Sequence, residues 1–519
     1  MRISVRALFA AVCVVGLIGL PNAWADPSDN PEDGHSHESH SGPPELPPYA
    51  GPARHNMTLV GNSDKDGTTN SDLAFWQDLA FAGNYNGFRI LDISDPTNPT
   101  VLSDYFCRGP QNDVSVYKLK NRLLLFQSID RAQTKASCDG TVAGSSQDTP
   151  ISSTYPGQAQ FGFEGIRVFD VTDPTAPKFL TGVPTACGSH THTTIPDLRN
   201  QRVLIYVSSY PLGSGITPAD SGASEDLQCK SPHQKISIVE VKAGAPAKAR
   251  VLREEPLSSD SRTYPGAGGP LAPPFIACHD VQAFLKDEIA VGACAGDGQI
   301  WDISNPANPT ASDGEPHTHI PMPGGFGDQW EFVHNAVVTW DGDYFALADE
   351  TGGGGTAECD GSAEERGGQS ENGFYYFYPM VEPGDPTPPL LSRYMIPRPQ
   401  GTEICVSHNG SVIPTNQGYF LATAYYMGGN SVVDFTDPAN PQEIAYSDEA
   451  DAIGLADSWS TYWYNDYVYV NGGLGRRGAT QNRGLDVYQV LDADGDVITA
   501  RDFHHMNPQT QEIFQTVGN

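Results

Sequence analysis

Four histidines of this chain fall at matching places in a repeated pattern. They read His192-Thr193-Thr194, His279-Asp280-Val281, His334-Asn335-Ala336 and His408-Asn409-Gly410, each ahead of an apolar, β-rich run. Imidazole is a ligand for zinc, copper, iron and nickel, and a set of histidines with one position left open is what a catalytic metal needs. Asp280, Glu331 and Glu403 lie beside them in the chain and are the acids expected to orient the rings through the nitrogen that does not face the metal. The metals expected are copper, iron or zinc. Histidines in register can equally hydrogen-bond neighbouring repeats, and that architectural reading stands beside the metal one. His190 and the His317-Thr318-His319 pair are expected on exposed loops.

Such side chains converge only if the repeats close on one axis, so the repeat decides the fold. One eight-residue phrase recurs as Asp92-Ile93-Ser94-Asp95-Pro96-Thr97-Asn98-Pro99 and again at 170–177, 302–309 and 434–441. Its aspartates are spaced by 78, 132 and 132 residues, so the longer gaps each hold two units. Worn copies lie at Ile238-Val239-Glu240-Val241, Asp385-Pro386-Thr387-Pro388-Pro389 and Gly484-Leu485-Asp486-Val487. Each phrase follows an alternating apolar stretch such as Gly87-Phe88-Arg89-Ile90-Leu91, with another such stretch before that. Short β-rich runs separated by Gly, Asn, Asp and Pro, without a sustained helical period, describe antiparallel strands. The fold expected is all-β, a seven-bladed β-propeller of four-stranded antiparallel blades over residues 59–505. Its inner strands converge on the channel and would set the four histidines in an arc at one mouth.

At those phrases the chain resembles the LVIVD repeat family of exported bacterial β-propeller proteins. The resemblance implies a propeller and an exported or cell-surface setting. It implies no particular chemistry, since a propeller hosts many.

Residues 1–25 read as a signal peptide, with Arg2 and Arg6, an apolar run from Ala7 to Leu20, and Ala23-Trp24-Ala25 as the cleavage site. Residues 26–58 form a His- and Pro-rich segment, and 506–519 a C-terminal tail. Eight cysteines remain beyond Cys13, and an oxidising compartment makes four disulfides the default. Neighbours in sequence give the simplest pairing: Cys107 with Cys138, Cys187 with Cys229, Cys278 with Cys294, Cys359 with Cys405. The other connectivities stay open. Long inserts at 131–160, 211–232, 256–275 and 351–371 are candidate rim loops.

With 30 basic against 63 acidic side chains and a net charge of −33, the surface repels polyanions, which excludes nucleic acid as a main partner. No stretch beyond the signal is long enough to span a membrane. Asp492-Ala493-Asp494-Gly495-Asp496 mimics part of a calcium loop but lacks its downstream Glu, so a hairpin turn is expected there. No nucleophile elbow or Walker loop is present. Two functions follow. One is a secreted (extracellular or periplasmic) propeller whose transition metal oxidises a small organic substrate. The other is a non-catalytic extracellular propeller that binds protein or glycan through its rim loops.

Overall fold

Residues 53–65, 67–130, 134–138, 149–150, 161–211, 229, 231–264, 274–321, 332–350, 373–398, 400, 405–448, 458–472 and 484–512 are described by a computed structural model. The expected signal segment, the histidine-rich stretch to residue 52, Glu331, Glu403, Cys359, residues 265–273 and most of the other long inserts lie outside those residues.

The alternating apolar stretches form strands, and four consecutive strands form a sheet. Asn70–Trp76, Leu79–Asn84, Gly87–Asp92 and Thr100–Phe106 pair antiparallel in that order. The same order recurs from Gln111–Leu119 to Lys178–Pro184, from Thr191–Asp197 to Arg250–Pro256, from Asp280–Phe284 to His317–Pro321, and from Val333–Val338 to Ser392–Tyr394. Nine further strands, Ala53–His55, Met57–Ser63 and the seven from Asn409–Val412 to Gly484–Val490, form one sheet. In it the set from Asn409–Val412 to Gln442–Asp448 meets the set Ser458–Tyr464, Tyr467–Gly472 and Gly484–Val490 through a parallel pairing of Asn409 with Ser460. Met57–Ser63 completes that second set by pairing antiparallel with Gly484–Val490, which ties the two ends of the chain together.

The first strand of each set is the inner one. Asn70–Trp76 packs beside Gln111–Leu119, and so on through Thr191–Asp197, Asp280–Phe284, Val333–Val338, Asn409–Val412 and Ser458–Tyr464, which returns to Asn70–Trp76. A closed ring of antiparallel sheets, each joined to the next by its neighbour's face, is a β-propeller. Both faces of each sheet are covered, so apolar residues of both parities are buried, among them Phe75, Ile90, Trp301 and Trp463.

The repeated phrase has a local cause. Asp92, Asp170, Asp302 and Asp434 each accept the backbone N–H two residues on, at 2.9, 3.1, 2.6 and 2.9 Å. Asp95, Asp173 and Asp437 repeat the device at 3.0, 3.0 and 3.1 Å. Two aspartate-capped turns in succession end the third strand, and prolines that cannot donate to a ladder keep it ended. Asp492 likewise accepts the amides of Asp494 and Asp496 at 3.0 and 2.9 Å, closing a turn as expected.

Three disulfides follow the neighbour pairing: Cys107–Cys138, Cys187–Cys229 and Cys278–Cys294. Cys405 is disulfide-bonded as well, and its expected partner lies outside the described residues. Among the described residues no helix is long and apolar enough to cross a membrane.

The C-terminal segment crosses one end of the ring. Arg501 donates its amide to the Pro414 carbonyl, Phe503 to Asn465, and Met506 pairs with Phe75. Asn507 takes the Val116 amide on Oδ1 and gives Nδ2 to the Val116 carbonyl, both at 2.8 Å. Thr510 reaches the Thr194 carbonyl and Gln511 that of Val338, again at 2.8 Å. A segment expected to be a tail from residue 506 is thus built into the ring, at the end of the inner strands away from the histidines.

Candidate metal centre

The inner strands begin at one mouth, and their first backbone bonds set the height of the residues just before them. The amides of His190, His279 and His408 donate to the carbonyls of Ser208, Ala293 and Ala424 at 2.9, 2.7 and 2.9 Å. These three are therefore equivalent positions in three sheets. His334 lies inside its strand, at a register shift between Val333 and Ala336 that turns its ring into the same row. The imidazoles of His190, His279, His334 and His408 follow one another with ring centroids 4.5, 3.7 and 4.4 Å apart.

His192 is not in this row. Its Nε2 lies 2.6 Å from the Ser115 hydroxyl and its Nδ1 2.7 Å from that of Ser128, so both nitrogens are taken by the neighbouring sheet. Aligning on the downstream apolar run selects His192 where the backbone bonds select His190. The two are one full pleat apart, about 7 Å along the strand, and so share a face but not a level. His190, expected to be exposed, is 6% exposed and buried among Gln111, Tyr210 and Asp130. His317 and His319, expected on an exposed loop, instead lie in the outer strand His317–Pro321 and are half-buried, with His319 Nδ1 2.8 Å from Asp297.

Carboxylates accompany the row. Asp280 Oδ1 lies 3.1 Å from His279 Nδ1, and Asp130 Oδ2 lies 3.2 Å from His190 Nδ1. Glu350, which the sequence did not single out, places Oε2 3.3 Å from His334 Nε2 and Oε1 3.5 Å from His408 Nε2. The Tyr426 hydroxyl donates to Glu350, and the Trp459 carbonyl accepts from His408 Nδ1. His334 Nδ1 is buried with no hydrogen-bond partner among the described residues. Asp130, Tyr210, Glu350 and Tyr426 all follow the second strand of their sets within two residues. That position is the signal that could have found them, because the turn after the second strand faces the start of the next inner strand.

His279, His334 and Glu350 each present a ligand atom within 4.8 Å of the other two. Ligands on a tetrahedral ion with bonds near 2.1 Å lie about 3.4 Å apart, so binding would draw these three together by roughly an ångström. The tautomers suit it. A His279 Nδ1–H held by Asp280 and a His408 Nδ1–H held by a carbonyl both leave Nε2 as the coordinating atom.

Burial and the neighbouring imidazoles hold the His334 ring well below the usual imidazole range, so it is neutral at pH 7. Burial likewise pushes His190 down to about 4 and His192 down to about 3. Burial opposes ionisation of Asp280, but the adjoining His279 and the donors His279, Asn335 and Thr191 outweigh it and keep its carboxyl below the usual range. Deeper in the channel burial raises both Asp72 and Asp113; the adjoining Asp72 raises Asp113 further, while the hydrogen bond from Asp113 partly offsets the rise at Asp72.

Aromatic residues wall the row on two sides: Tyr210, Tyr264, Phe275 and Phe332 on one, Tyr85, Tyr426 and Trp459 on the other. The Cys278–Cys294 bridge joins the residue before His279 to the end of the adjacent strand, fixing where that ring begins. The large cavity, about 710 Å³, is elsewhere. It lies at the opposite end, between Tyr117, Ile195, Trp340, Phe503 and His504.

Residues 71–106 match the family model of the LVIVD repeat, and they cover the four consecutive strands from Asn70–Trp76 to Thr100–Phe106. The chain carries an LVIVD repeat there. No curated protein sequence matches the chain. Similar solved structures include a putative 6-phosphogluconolactonase from Bacteroides fragilis, at 9% identity over 79% of this chain and 88% of that one, with a TM-score of 0.44. The β-propeller domain of Myceliophteria thermophila Cps50 (Swd1) is another, at 7% identity over 84% and 99%, with a TM-score of 0.42. Likeness at that level carries no activity across.

Proposed function

We propose that the chain is an exported, seven-bladed propeller that holds copper, iron or zinc on His279, His334 and Glu350, with His408 within reach, and uses it as a metal-dependent oxidoreductase on a small organic substrate. The count of seven takes the nine-stranded sheet as two blades sharing inner strands Asn409–Val412 and Ser458–Tyr464. Export is supported by the signal-like first 25 residues and by the disulfides.

One observation carries the metal. Glu350 is 5% exposed and sits between two imidazoles, of which His334 is held neutral. With two imidazole nitrogens and a carboxylate oxygen within 4.8 Å of one another in a buried site, a divalent ion placed among them gains three ligands of the kinds it prefers. When bound, such an ion supplies Lewis-acid or redox chemistry. The protein's part is to hold it. Asp280 and the Trp459 carbonyl fix the tautomers of His279 and His408, Tyr426 holds one oxygen of Glu350, and the aromatic walls exclude water.

The reading is tested by elemental analysis of protein lacking residues 26–42, beside a Glu350→Gln variant. Near-stoichiometric copper, iron or zinc that falls sharply in the variant is expected, and metal-free protein of both kinds would overturn it. The second reading, a non-catalytic extracellular propeller binding protein or glycan, draws support from the burial of the histidine row and from the cavity at the other end. It becomes the better one in the metal-free case.

A further inference from the structure

The C-terminal segment does more than cross the ring, because one of its side chains climbs the channel to the histidine row. Gln509 is 5% exposed and its carbonyl accepts the Ala283 amide at 2.9 Å, which fixes its backbone beside the inner strand Asp280–Phe284. Its Nε2 donates to Asp280 Oδ1 at 2.9 Å, while its Oε1 lies 3.2 Å from the Thr193 hydroxyl. Both ends of the amide are thus engaged, and the engagement fixes which way it points. Asp280 is 1% exposed, and the oxygen that takes the Gln509 donor is the one 3.1 Å from His279 Nδ1. Its other oxygen accepts from Asn335 Nδ2 at 3.0 Å.

We propose that Gln509 is a positioning residue for the metal centre: its donation to Asp280 fixes the carboxylate that orients His279. This rests on the reading of His279 as a ligand. The physical reason is that a carboxylate with two donors on one oxygen and one on the other has a single orientation. Removing the Gln509 amide frees it to turn, and the His279 ring turns with it. Groups that orient a metal-bound histidine in this way are worth about 10–100-fold in metal affinity. The link also makes the C-terminal clasp part of the site, because the residue that aims His279 is placed by the strand pairing of Thr510 and Gln511 with Ala283 and Phe284.

The test compares wild type, Gln509→Leu and Gln511→Leu, all in the full mature chain. Gln511 sits in the same segment and its side chain donates to the Val338 carbonyl, so Gln511→Leu removes a side-chain bond while leaving the backbone pairing that places Gln509, and Asp280, untouched. Cobalt(II) titration followed by its visible spectrum reads affinity, and nitrogen-15 histidine resonances read the His279 tautomer. In Gln509→Leu the cobalt affinity falls about 10–100-fold and the His279 Nδ1 resonance shifts, while Gln511→Leu changes neither. Equal affinities and an unmoved His279 resonance in Gln509→Leu overturn the proposal, and so does an equal loss in both variants. Wild-type protein that takes up no cobalt refutes the metal reading instead, and the His279 resonance then still decides whether Gln509 positions that ring.

Discussion

Glu350 and His192 are both buried polar side chains beside inner strands, yet their surroundings assign them opposite parts. Glu350 faces imidazole nitrogens that need not donate to it, whereas His192 has each nitrogen on a hydroxyl. Replacing His192 by alanine should therefore leave metal content unchanged and cost about 1–3 kcal/mol of stability, since Ser115 and Ser128 lose a partner in the interior. Metal loss in that variant would return His192 to the site. Protonation gives a second check. His190, His192 and His233 all have pKa values lowered by burial, to about 4, 3 and 3, so the unfolded chain binds more protons than the folded one below about pH 6.5. Stability contributed by these rings is full above that pH and is lost as pH falls toward their folded values. His334, held well below its usual range, adds a fourth ring on this side, against the buried carboxyls of Asp72 and Asp113, whose raised pKa values work in the opposite direction. The urea midpoint should be lower at pH 5 than at pH 7.5, and an equal or higher midpoint would refute the neutral, buried state of these histidines.

Elements made by short-range chemistry were the ones most legible in the chain. The paired aspartate turns need only residues within four positions of one another, so their phrase repeats and can be counted. Replacing Asp170 by alanine removes the acceptor for the Thr172 amide and should cost about 1 kcal/mol in urea unfolding, with no effect on the centre. A cost indistinguishable from zero would make the phrase a relic and not a device. Cysteines paired with their sequence neighbours for the same reason of proximity. The histidine level was legible only to within a pleat, because an apolar run marks a strand's face and not where its ladder starts. Glu350 could be found only by its place just after the second strand of its set. It occupies a turn, where no period applies, and its partners are 16 and 58 residues away.

At the scale of the molecule, ring closure is held twice. Met57–Ser63 pairs with Gly484–Val490 at the outer edge, and residues 501–511 bind inner strands or the turns that follow them across one end. Nothing in the composition of the last residues distinguishes such a clasp from a tail, since its bonds go to strands hundreds of residues away. Asn507 imitates a strand by offering Val116 both a donor and an acceptor, so Asn507→Ala should lower stability by about 1–3 kcal/mol. An unchanged unfolding midpoint would show that the clasp lies on the ring without holding it. The ion is tested by X-ray absorption on purified protein lacking residues 1–42. A copper, iron or zinc edge is expected, with nearest neighbours of nitrogen and oxygen near 2.0–2.2 Å and outer scattering from two or three imidazole rings. An absent edge, or a shell without imidazole, would contradict it.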